Sequence, residues 1–142
     1  MKKVLNLREY ECAEGLAMIL TIDYENNIDN IIKYKELSIL FGNRKPVIHS
    51  TLAGDLNFRH NLRGDEQDGI RSYNLVNIAI NLRDPLAALL RAIYHGERRN
   101  FDRAEYCLEM ARLFSLLNVY NKESFEQVYN DYRNRILVMM MG

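Results

Sequence analysis

The sequence predicts an all-α protein, a single domain over residues 1–142 folded as a compact bundle of five or six helices. Three observations lead there. With 142 residues, 48% of them hydrophobic, the chain can bury a core without staples, and its few Gly (7) and Pro (2) are not a disordered composition. Apolar residues recur at helical spacing, most clearly in the C-terminal half. Start and stop signals bracket those stretches.

The first helix is expected at about 7–24. Asn6 stands three before Glu9, as in a capping box, and Leu16, Ala17, Met18, Ile19, Leu20 and Ile22 follow. Asn26-Asn27 breaks the pattern. The second runs from about Ile28 to Phe41, with Asp29 in its first turn and Gly42-Asn43 as a left-handed stop. Residues 43–69 leave two readings open. Val47-Ile48 and Leu52 suit a strand, or Pro46 opens a helix reaching Leu62; a structureless loop of this length is unusual unless it binds something.

Over 70–83, Val76, Ile78, Ile80 and Leu82 alternate with polar or small residues, a strand template, while a helical wheel gathers Asn74, Asn77 and Asn81 into one stripe. Helix is preferred; the alternative fold is α+β with short strands near 46–53 and 74–83. Asp84-Pro85 then opens a helix that Gly96 ends. Asp102 caps the next, with Glu105 at the capping-box position, Phe101 and Tyr106 as a staple, and Ala104, Cys107, Leu108, Ala111 and Phe114 as its seam. Asn121 opens the last helix, whose seam is Phe125, Val128, Tyr129, Tyr132, Ile136 and Met139 or Met140.

Cys12 and Cys107 lie far apart among apolar residues, which predicts two buried thiols rather than a disulfide or metal spacing. With no secretory pattern and no apolar run long enough to cross a bilayer, a cytoplasmic setting and no membrane contact are expected. No nucleophile elbow, phosphate loop, zinc pattern or calcium loop is present, so no catalytic residue, metal or cofactor is expected.

Charge sums to zero, but residues 44–103 carry 10 basic against 7 acidic residues, with nine of the 13 arginines and all three histidines. Arg suits planar carboxylates and phosphates. Candidate anion ligands are therefore Arg44, Lys45, Arg59, His60, Arg63 and Arg71, with pairing to Asp and Glu as the structural alternative. Arg98-Arg99 is read as complementing a helix end. A second candidate surface is the last helix: Tyr129, Tyr132, Arg133, Met139, Met140 and Met141 combine amphipathic rings with an adaptable apolar tail.

Two partial resemblances add to this. Residues 86–117, with Ala92 on the first helix, Asn100-Phe101-Asp102-Arg103-Ala104 at the turn and Ala111 seven after Ala104, resemble one tetratricopeptide unit, which implies a packing module and no chemistry. The unit's Gly and Tyr on the first helix and its closing proline are missing, and no second copy follows. Arg44-Lys45-Pro46-Val47-Ile48-His49 is similar to the Arg-x4–6-His motif of small helical RNases; the resemblance implies that Arg44 holds phosphate and His49 moves a proton. The expected function is that of a non-enzymatic regulatory protein binding another macromolecule, as a homodimer. The alternative is a binder of nucleotide or RNA through 44–71, with RNase-like activity as a third reading.

Overall fold

The computed structural model describes residues 2–117 and 122–142, with side chains described from residue 9 in the first segment and from residue 123 in the second. Among the described residues every regular element is helical: α1 (Lys2–Leu20), a 3-10 turn (Thr21–Asp23), α2 (Ile28–Leu40), α3 (Pro46–Arg63), α4 (Glu66–Asn81), α5 (Pro85–Glu97), α6 (Phe101–Leu117) and α7 (Lys122–Met141). The class is all-α. Seven α-helices replace the expected five or six because 46–63 forms a complete helix. The strands proposed near 46–53 and 74–83 are both helical.

The chain divides into two compact units, Met1–Leu75 and Val76–Gly142, and the boundary falls inside α4. In the first unit α1 packs on α2, and α2 on α3. Buried Ala13 and Ala17 give α1 a small-residue face, and Ser38 Oγ on α2 donates to the carbonyl of Tyr10 at 2.9 Å. The apolar run of α1 lies largely outside: Leu16, Met18, Ile19 and Ile22 are exposed. Cys12 is exposed as well, against expectation, because it lies off the buried Ala13–Ala17 line; Cys107 is buried. Asn6 falls inside α1, so its capping role is overturned.

Pro46 occupies the first turn of α3, where its missing N–H costs nothing, and Gly64 closes the helix at φ 73°. Ile48, Leu52 and Leu56, each four apart, are buried; Leu52 and Leu56 join Ile28 and Ile32 in the first unit's core. Asp65 Oδ1 accepts from the Gln67 N–H at 2.9 Å and so opens α4. On α4, Asp68, Ser72, Val76 and Ala79 are buried while Ile78 is exposed, which is helical and not strand periodicity.

The second unit's core holds Ala88, Leu89, Ala92 and Ile93 of α5, the whole expected seam of α6, and Tyr129 and Ile136 of α7, with Phe125, Tyr132 and Met139 packed against them. Val128 and Met140 are exposed, so Met139 carries the end of the α7 seam. Asp84 caps α5, its side chain accepting from the Leu86 N–H at 3.4 Å. Gly96 does not end α5 but sits buried within it. A Cβ there would stand 3.0 Å from Met139 Sδ and 3.5 Å from Ile136 Cγ1, so the glycine permits close approach of α7. The left-handed residue of the α5–α6 turn is Arg99, at φ 58°. α6 starts at Phe101, with Asn100 accepting the first helical bond, so Asp102 is inside the helix, and Tyr106 is 68% exposed. The start signal at Asn121 lies outside the described residues.

Candidate functional site

Of the central basic residues, Arg59 and Arg63 come together at Asp29, and Arg71 and Lys45 each face a different carboxylate. Arg59 binds Asp68 side-on, with Nε to Oδ2 at 2.7 Å and a terminal nitrogen to Oδ1 at 2.8 Å, and reaches Asp29 at 3.1 Å. Arg63 grips both oxygens of Asp29, at 2.7 and 3.0 Å. Hydrogen bonds from Arg63 and then Arg59 hold the Asp29 carboxyl below its usual range, and Arg59 does the same for Asp68. Arg71 faces Glu36 at 2.6 Å, and Lys45 faces Glu14 at 3.2 Å. His60 Nδ1 lies 2.6 Å from the Asp65 carbonyl. Arg44 is exposed just before α3 and His49 lies in that helix's first turn. A partly buried triad completes the first unit: Tyr24 and Lys35 each donate to the buried Asp55, at 2.5 Å.

On α7 the proposed interface residues divide. Tyr129 is buried, and Tyr132 and Met139 pack against the core; burial pushes the Tyr132 phenol up. Arg133, Met140 and Met141 face outward. They are joined there by Leu137 and Val138, which are also exposed. α6 and α7 also border a cleft of about 390 Å³, lined in part by Arg112, Phe125, Glu126 and Tyr129, with the Arg112 guanidinium 4.7 Å from the Tyr129 ring centroid.

A further cluster lies on α5 and α6. Arg91 is nearly buried and donates to Asn77 Oδ1 at 2.9 Å. Its guanidinium lies 5.3 Å from the Tyr94 ring centroid, and that of Arg98 lies 3.6 Å from the same centroid. His95 meets Tyr94 edge to face at 5.4 Å. Burial first, then the charges of Arg91, Arg103 and Arg98, hold the His95 imidazole below its usual range. The sequence carried a signal for this group, since 91, 95 and 98 share one helical face. It was hidden because Arg98 reads equally well as a helix-end cation.

No family model, no curated protein and no solved structure matches this chain. Both resemblances therefore rest on their local residues. In the 86–117 hairpin, Ala92, Ala104 and Ala111 are fully buried where α5 and α6 pack. Among the described residues no group of His, Cys, Asp and Glu is arranged to hold a metal, and no helix is long and apolar enough to cross a membrane.

Proposed function

We propose that this protein is a non-enzymatic regulatory protein that acts by binding another macromolecule and pairs with a second copy of itself. The observation that carries the reading is that α6 is apolar on two sides. One side is the core seam. The other, a line formed by Tyr106, Met110, Leu113 and Leu117, leaves Tyr106, Leu113 and Leu117 at 68%, 59% and 73% exposure. A continuous apolar line left exposed on a helix ordinarily marks a face that another surface covers. The outward Leu137, Val138, Met140 and Met141 of α7 add apolar surface of the adaptable kind.

A second copy suits this surface because the exposed line itself carries no charge and the chain's net charge is zero, so like copies do not repel. A two-fold interface would set the same line against itself. Anion binding through 44–71 has less support, since Arg59, Arg63, Arg71 and Lys45 already face carboxylates that a phosphate would have to displace. Sedimentation equilibrium over a range of micromolar concentrations tests the reading. A dimer is expected, and a monomer across the whole range overturns the self-pairing.

A further inference from the structure

We propose that the cleft between α6 and α7 is a binding site for a free α-amino acid with an aromatic side chain. The site is independent of the self-pairing above, because Tyr106, Met110, Leu113 and Leu117 of the exposed line do not border it. Its volume of about 390 Å³ stands at the small end of the range for ligand pockets, about 300–1,000 Å³. That suits one small molecule and no folded partner. The walls come from both helices. Arg112, Ser115 and Leu116 share one face of α6, and Phe125, Glu126 and Tyr129 share one face of α7. Tyr129 is 6% exposed and Leu116 is 74% exposed, so the cleft runs from a buried ring to an apolar rim. The Phe125 and Tyr129 ring centroids are 6.0 Å apart with their planes tilted by 35°, which offers a bound ring aromatic contact.

Charge narrows the ligand further. The Arg112 guanidinium lies over the Tyr129 ring, 4.7 Å from its centroid. Contact through its face leaves the N–H groups around its edge to a carboxylate. Glu126 borders the same cleft but does not pair with Arg112, and among the described residues neither side chain enters an ion pair. Ser115 Oγ donates its proton to the Arg112 carbonyl at 2.6 Å, so it presents an acceptor to a ligand. A ligand with a single charge would meet a like charge in this space, an anion at Glu126 and a cation at Arg112. An α-amino acid carries both charges. Its carboxylate answers Arg112, its ammonium answers Glu126 and Ser115, and its ring lies against Phe125.

The test is an NMR titration of the full chain at low salt with L-phenylalanine. Parallel titrations use phenylpropionate, which lacks the ammonium, and phenethylamine, which lacks the carboxylate. L-Phenylalanine is expected to shift the Phe125 and Tyr129 ring signals and to bind about tenfold tighter than either analogue, since each analogue loses one charge-assisted contact. Arg112→Gln should weaken the amino acid by about tenfold and leave phenethylamine no weaker. Glu126→Gln should weaken the amino acid similarly and leave phenylpropionate no weaker. Both residues are exposed, so both variants are expected to fold. The proposal is overturned if L-phenylalanine leaves both rings unmoved. It is also overturned if the three ligands bind alike, which would make the cleft merely apolar, or if both folded variants bind the amino acid as the parent does. Should either variant fail to fold, the three ligands on the parent protein decide alone.

Discussion

Arg59 holds Asp68 through two nitrogens, and Asp68 is only 2% exposed. A carboxylate so deeply placed depends on its partner, because an unpaired buried charge costs far more than a surface pair contributes. Arg59→Met should therefore destabilise the protein by about 3–5 kcal/mol, read from urea midpoints, whereas Arg59→Met with Asp68→Asn should recover much of the loss. The pH dependence has a fixed sign. Asp68 titrates lower in the folded chain than in the unfolded one, so its stabilisation is present above the ordinary Asp value and is lost as pH falls through the depressed folded value. The Asp68→Asn variant should lose that part of the acid transition. An Arg59→Met protein as stable as its parent would show that this pair does not anchor α3 to α4.

At the scale of the element, α5 and α6 are close because small residues meet: Ala92, Ala104 and Ala111 are all at 0% exposure. Leu108→Ala should cost about 2–5 kcal/mol by leaving a cavity in that seam. Gly96→Val tests the other side of α5. Its extra methyl groups would press on Met139 Sδ and Ile136 Cγ1, an overpacking cost of about 1–3 kcal/mol, although valine is a better helix former than glycine. Thermal melts unchanged in both variants would refute this packing. The α6 seam was legible in the sequence because its five residues fall at i, i+3, i+4, i+7 and i+10, an unbroken helical face. α3 was only half legible, because Val47-Ile48 and Leu52 suit a strand as well as a helix opened by Pro46, and only the burial of Ile48, Leu52 and Leu56 at four-residue spacing distinguishes them. Gly96 misled for a different reason: glycine marks both a helix stop and a close approach, and only the position of Met139 distinguishes them. The arginines of 44–71 were legible as charged residues, but their partners Asp29 and Glu36 lie 30 to 35 residues away, beyond any local pattern.

For the whole molecule, each unit completes a core of its own, and apolar surface still remains on α1, α6 and α7. Cutting the chain after Arg135 would be a poor probe of association, because Ile136 and Met139 belong to the second unit's core. Point charges on outward residues leave that core intact. Leu113→Lys with Leu117→Lys would bring four like charges into a two-fold interface while touching none of the buried seam, and should raise the dimer dissociation constant by about a hundredfold or more. Val138→Lys with Met141→Lys should weaken the dimer less, since these residues extend the apolar surface without forming its continuous line. Melting temperature extrapolated to low protein concentration should stay at the parent value for both pairs, because none of the four residues is buried. If both variants sediment like a dimeric parent, the copies meet elsewhere. The exposed Leu16, Met18, Ile19 and Ile22 of α1 would then be the next surface to charge.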